Sequence, residues 1–237
     1  MFQKINKLIF IVLITISFSC SFNIKGQMTV DSIIDNHLKV TGLLNFSKEL
    51  KDFSLEGKLM QNNIGFPIKI NGIVPGLLRM DMIFNQQTFI QISNGTNVWE
   101  YNPITDSTSA RKCSNSEAQS FIDRLSGSLF RYKEGKATCK LIEATTLQDI
   151  EVYKLEFKYA GLSQVYFIDK YSYLILRVDD DFVENKMTYY SDYKKAGNYY
   201  LPFSLTGYEN GLPVMSMKFN SIKVNTGIPT TVFSKPK

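Results

Sequence analysis

One histidine and three cysteines in 237 residues leave little material for a metal centre. A Ser/His/Asp triad would have to use His37, which sits in an amphipathic first helix with no nucleophile motif to match it. The chain has no Gly-x-Ser-x-Gly elbow, no phosphate-cradling glycine-rich loop and no His-Glu-x-x-His. Charge of one sign is scarce too. Of the 27 basic residues, Lys4, Lys7 and Lys25 fall within residues 1–26, which hold no acid, leaving 24 basic against 22 acidic residues. A net charge of +2 on that remainder supplies no clustered basic face for phosphates, so no nucleic-acid partner is expected. No apolar run is long enough for a polytopic membrane protein, and no low-complexity linker divides the chain. A composition of 44% hydrophobic, 13% aromatic and 21% charged residues also excludes a disordered tail, a collagen-like repeat and a coiled coil. The expectation is a non-enzymatic monomer without cofactor or metal.

Residues 1–26 read as a secretory leader. Met1–Lys7 is cationic, Leu8–Ile16 is apolar apart from Thr15, and Ser17, Phe18, Ser19 and Cys20 follow. The run is shorter than the ~20 residues of a membrane span. Cleavage after Ser19 would make Cys20 a lipidated N-terminus, whereas cleavage after Gly26 would release a soluble protein. The reading favours the soluble exported form, with anchoring through Cys20 as the alternative. In an oxidising compartment Cys113 and Cys139 then remain as a pair, either disulfide-bonded or as two separate buried thiols.

Residues 27–237 read as one β-rich domain. Val30, Ile33, Ile34 and Leu38 recur at helical spacing behind the capping residues Thr29 and Asp31, and Gly42 closes the helix. From Asp52 the period becomes two: Phe53, Leu55 and Leu59; Phe66, Ile68 and Ile70; Met80, Met82 and Phe84. Asn62-Asn63-Ile64-Gly65 and Ser93-Asn94-Gly95-Thr96 read as hairpin turns. Ser114 and Glu117 form a capping box for a second helix bearing Ala118, Phe121, Ile122 and Leu125. Strands resume over 152–159, 164–168, 173–178, 186–193, 203–208 and 214–224, the last with a bulge near Asn220-Ser221 because Ile222 and Val224 slip out of phase with Met215, Met217 and Phe219. One oily and one wet face per strand means an antiparallel sheet. About ten or eleven strands with so few helices predict a strongly curved sheet or incomplete β-barrel, mostly β in class (α+β), with helices over its mouth.

Ser93-Asn94-Gly95-Thr96-Asn97-Val98-Trp99-Glu100-Tyr101-Asn102-Pro103 resembles the Asp-Gly-Lys-x-x-Trp-x-Tyr-Asn-Pro segment of the periplasmic lipoprotein carriers LolA and LolB. Val74-Pro75-Gly76-Leu77-Leu78-Arg79-Met80 falls where that family has a basic residue, a proline and a strand. The opening at 30–42 and the close at 192–203, followed by Asn225-Thr226-Gly227-Ile228 and Phe233-Ser234-Lys235-Pro236, resemble a Bacteroidetes-type branch of LolA-like proteins. The resemblance spans nearly all of 29–236. It implies an unclosed antiparallel barrel plugged by helices 30–41 and 116–126, and a cavity that shelters lipid acyl chains or lipidated proteins in the periplasm of a Gram-negative envelope. Its implied partners are inner- or outer-membrane sorting components. The family's basic residue before the proline falls here on Val74, so a latch on the lid must be built differently, and Arg79 does not replace it.

The expected cavity residues are Leu55, Leu59, Ile68, Ile70, Met80, Met82, Trp99, Phe121, Leu125, Leu155, Phe157, Met215 and Met217. Methionines on several strands suit adaptable apolar ligands. Trp99 reads either as a cavity wall or as a packing anchor beside Tyr101-Asn102-Pro103. His37 reads as a surface or helix-packing residue, and Asp179-Asp180-Asp181 with Glu184 as a solvated turn, since the calcium-loop spacing is missing. Two other classes stay open: a Cys20-anchored envelope lipoprotein that uses the fold as a protein-interaction module, and a carbohydrate-binding or hydrolytic sheet protein, which would need a carboxylate pair in a groove.

Overall fold

Period-two alternation across most of the chain becomes one continuous antiparallel sheet. The computed structural model describes residues 28–74, 76–105, 109–115, 118, 121, 128–159, 161–180 and 186–236. Residues 1–26, Cys20 included, over which a leader and two alternative cleavage points are expected, lie outside the described residues together with Glu117, Leu125, Asp181, Glu184 and most of the helix expected over 116–126. Helix α1 covers Val30–Thr41, capped by the Thr29 hydroxyl, which accepts from Ser32 N at 3.2 Å, and ended by Gly42 at φ +75°. A short α2, Phe46–Glu49, precedes β1, Asp52–Gln61. There follow β2 (Ile64–Ile73), β3 (Leu77–Phe84), β4 (Gln87–Asn94), β5 (Val98–Tyr101), β6 (Arg111–Lys112), α3 (Ser128–Lys133) and β7 (Thr138–Leu147). The remaining elements are β8 (Ile150–Tyr159), β9 (Leu162–Asp169), β10 (Ile175–Asp180), β11 (Lys186–Ala196), β12 (Tyr199–Glu209), β13 (Leu212–Val224) and a 3-10 turn, Thr230–Phe233.

The strand order is β6-β5-β4-β3-β2-β1-β13-β12-β11-β10-β9-β8-β7. Every neighbouring pair is antiparallel, and β6 and β7 are the two edges, so the barrel is not closed. Two strands exceed the ten or eleven read from sequence. β6 is only two residues long, and β7 hides its alternation because the pairing shifts between Leu141 and Glu143, which leaves Ile142 as an extra residue. The bulge expected in β13 is present: Glu56 pairs with Ser221 and Gly57 with Phe219, so Asn220 has no opposite number. Gly57 is required there, because a Cβ would stand 2.2 Å from the Lys218 carbonyl oxygen. The first hairpin is tighter than expected. Asn62 and Asn63, at φ +49° and +63°, form a two-residue turn of the primed type, and Ile64 and Gly65 already belong to β2. Tyr173, expected to open a strand, instead takes φ +58° in the turn before β10.

Directly paired residues of an antiparallel sheet share a face. The face carrying Leu55, Ile70 and Leu155 is the inner one, on which the helices pack. Over β8–β10, Ile33, Ile34 and Leu38 of α1 and Leu129 of α3 bury Leu155, Phe157, Tyr166, Ile168 and Val178. At the other end Leu78, Val98, Cys113 and Phe121 form a second buried group, with Ala118 packed against it. Residues Asn115, Ala118 and Phe121 are helical.

Candidate functional site: an apolar groove on the inner face

Between those two covered ends the inner face changes character. Ile68, Ala196, Phe203, Phe219 and Ile222 are buried, but Leu55, Leu59, Ile70, Met82, Leu201, Leu205 and Met217 around them are only partly so. Among the described residues no helix joins this cluster. Register makes it a continuous floor. Met82, Ile68, Gly57 and Phe219 lie in one cross-strand row, Met80, Ile70, Leu55 and Ile222 in the next, and Phe66, Leu59, Met217 and Leu205 form a third row. Met215 continues it opposite Gly207, whose missing side chain makes room for the Met215 chain. From β4 to β12 the floor crosses six strands, or about 24 Å at the usual strand spacing. At its β3–β5 end a recess of about 200 Å³ is lined by Met80, Met82, Phe89, Gln91, Glu100 and Tyr101.

The structure therefore brings Leu55, Leu59, Ile68, Ile70, Met80, Met82, Met215 and Met217 onto one face. Leu155 and Phe157 share that face but are fully buried beneath α1 and α3, so they belong to the closed core and not to the open floor. Phe121 is likewise buried, within the Leu78 cluster. Trp99 is a correction: it pairs with Ile92 and Lys112, one residue out of phase with the inner-facing Val98 and Glu100, and so lies on the opposite face. There the C-terminal 3-10 turn packs against β3 and β4. Phe66, Phe89, Leu201 and Leu205 were missed as floor residues, although the alternation of Phe66 with Ile68 and of Phe203 with Leu205 carries the signal.

Other expectations are also corrected. No disulfide joins Cys113 and Cys139. Cys113 packs with Leu78 and Val98 near the β6 edge, while Cys139 lies on β7, at the opposite edge, against the α1 core. Burial, followed by the nearby charges of Asp31 and Glu156, pushes the Cys139 thiol up to about 12, which keeps it protonated and unreactive. Asp179 and Asp180 are not in a turn but in β10, on opposite faces. Asp179 accepts from Arg177 at 2.7 Å and Asp180 from Gln164 at 2.5 Å, so they do not converge on a cation. Arg79 faces away from the lid, bonded to Asp81 at 2.9 Å and to the Val232 carbonyl at 3.1 Å.

What fastens α1 is His37. It is buried, and its Nδ1–H donates to the Tyr173 carbonyl at 2.8 Å, across the turn before β10. Burial holds its pKa below the ordinary histidine value, against the opposing pull of the Tyr173 carbonyl. Lys133 on α3 adds a 2.6 Å ion pair to Asp35, and Tyr132 donates to Asp31 at 3.1 Å.

An unclosed antiparallel sheet of thirteen strands, helices on its concave side and an apolar floor between them can be matched to solved structures. A domain from Vibrio parahaemolyticus described as an outer membrane lipoprotein-sorting protein superposes with TM-score 0.58 at 15% identity, covering 85% of this chain and 94% of that one. The fold is LolA-like. A LolA superfamily protein from Nitrosomonas europaea matches with TM-score 0.59 at 11% identity, over 88% of this chain and 99% of its own. A DUF1329 family protein from Desulfovibrio piger gives 0.60 at 13%, over 88% and 98%. No family model and no curated protein sequence matches the chain. The LolA-like fold is thus matched here at identities of 11–15%.

Proposed function

We propose that this protein is a non-catalytic carrier or binding protein of the cell envelope, which holds lipid acyl chains or lipidated proteins on the concave floor of its sheet. The observation that carries this reading is the half-buried row structure of Leu55, Leu59, Ile70, Met80, Met82, Leu205 and Met217 on the face that elsewhere is sealed by helices. A sheet face that stays apolar and partly exposed is the pattern of a ligand groove. Methionines give the floor the plasticity to accept flexible chains. Each methylene removed from water contributes about 0.8 kcal/mol, so partition alone supplies the affinity. The solved structures of the same fold include one described as lipoprotein-sorting, in keeping with acylated cargo. The cationic, apolar leader supports export to the periplasm, and among the described residues no helix is long and apolar enough to cross a membrane.

Native mass spectrometry of the exported protein, followed by lipid extraction after denaturation, tests the reading. The expected result is a near-stoichiometric acyl lipid that Met82→Glu loses by tenfold or more with an unchanged melting temperature. Ligand-free protein that also refuses acylated peptides would overturn it. An envelope scaffold anchored through Cys20 would then be the better account.

A further inference from the structure

The recess at the β4–β5 end of the groove differs chemically from the rest of the floor. Gln91 pairs across the sheet with Met80 on one side and with Glu100 on the other, so both polar side chains share the methionines' face. Gln91 Nε2 donates to Glu100 Oε2 at 3.0 Å, and Arg111 Nη2 donates to Glu100 Oε1 at 3.3 Å. The Glu100 side chain is one-third exposed and the Arg111 side chain over half. A carboxylate oxygen has two lone pairs, so each Glu100 oxygen keeps an acceptor position beyond these two bonds. At about 200 Å³ the recess is smaller than the 300–1,000 Å³ of a complete small-molecule site, which suits the end of a ligand and not the whole of it. Beyond Met82 and Phe89 the surface is apolar, so a chain attached to a group seated here runs directly onto the floor.

We propose that this recess seats the uncharged, donor-bearing head of an acyl compound, an amide N–H or a hydroxyl, and discriminates against a free fatty-acid carboxylate. The inference rests on the carrier reading and concerns only which acyl compounds the groove prefers. A carboxylate head has no donor to offer the Glu100 oxygens. An alkylammonium would compete with Arg111 for an oxygen that Arg111 already neutralises. An amide or hydroxyl uses the acceptors and leaves the Glu100–Arg111 balance intact. Acyl amides of lipidated peptides and acyl glycerols share this chemistry.

Calorimetric titration at pH 8 with three twelve-carbon probes, below their micelle concentrations, separates the outcomes: dodecanoyl-glycinamide, monododecanoyl glycerol and dodecanoate. The amide or the glycerol ester should bind roughly tenfold more tightly than dodecanoate, the worth of one or two hydrogen bonds. Whichever of the two binds tighter identifies the source, peptide or glycerolipid. Glu100→Gln should raise the affinity for dodecanoate and narrow the gap to about threefold or less. Gln91→Leu, which keeps the charge, should weaken the neutral probes and serves as the second variant if Glu100→Gln fails to fold. Equal affinity for all three, or a preference for dodecanoate, would overturn the headgroup assignment while leaving the carrier reading in place. Failure of all three to bind would overturn both.

Discussion

Leu59 and Leu155 alternate alike in the sequence and point to the same sheet face, yet their surroundings separate their roles. Leu155 lies under Ile33 and Ile34 with none of its surface exposed, whereas Leu59 is half-buried on the open floor. Leu155→Ala should therefore lower stability by about 3 kcal/mol, the usual cost of a core cavity. Leu59→Ala should cost about 1 kcal/mol or less and act mainly on ligand affinity. Urea midpoints of the two variants, measured beside lipid occupancy, check the division. If Leu59→Ala proved as costly as Leu155→Ala, the floor would be ordinary core. The same distinction applies to aromatic residues. Phe157 stacks edge-on against Tyr166 at 4.7 Å inside the closed end, while Trp99 is turned to the outer face by a single step of register.

Among the elements, the β1–β13 pair joins the first strands of the chain to the last. Its bulge at Asn220 places the backbone of Lys218 and Phe219 against Gly57. Gly57→Ala should therefore lower stability by about 2–4 kcal/mol, because the obstructing atoms are backbone and cannot swing aside. Thermal unfolding checks it, and a shift below 0.5 kcal/mol would mean that the seam has slack. Asp52 tethers the start of β1 to the end of the chain: one carboxylate oxygen accepts from Thr226 N at 2.7 Å and Thr226 Oγ1 at 3.0 Å, the other from Gly227 N at 3.0 Å. At the outer edge, β7 offers a ten-residue strand with no second neighbour among the described residues. Its Ile142 bulge and the charges of Lys140 and Glu143 are the usual means of discouraging strand addition.

For the whole molecule, these groups predict how stability responds to acid. The pKa of His37 is held down by burial, so the folded protein resists a proton that the unfolded chain accepts near pH 6.5. Stability should fall as pH drops from about 6.5 towards the folded value and then level off. Burial draws Asp52 upward, but the Thr226 and Gly227 backbone N–H groups and the Thr226 hydroxyl outweigh it and leave it below the ordinary carboxylate value. Its contribution is present above about pH 4 and is lost as pH falls through the folded value. Denaturant midpoints between pH 3 and 8 should show both limbs. His37→Gln should remove the upper limb and Asp52→Asn the lower, and an upper limb that persists in His37→Gln would mean that another group controls the docking of α1.

Local periodicity was enough to establish the antiparallel class, most strands, α1 and the β13 bulge, because side-chain direction follows the chain with period two in a strand and 3.6 in a helix. It also collected eight of the floor residues, from Leu55 to Met217, since residues of like phase in paired strands must share a face. Local pattern cannot report what packs on a face from elsewhere in the chain. Tertiary structure decided that α1 and α3 seal Leu155 and Phe157, that Trp99 looks outward, and that Cys113 and Cys139 end at opposite edges of the sheet. It also decided that β7, its alternation broken by one bulged residue, leaves the barrel open. The apolar period is written along the chain, but exposure depends on which distant elements cover it, and that is settled only when the sheet has curled.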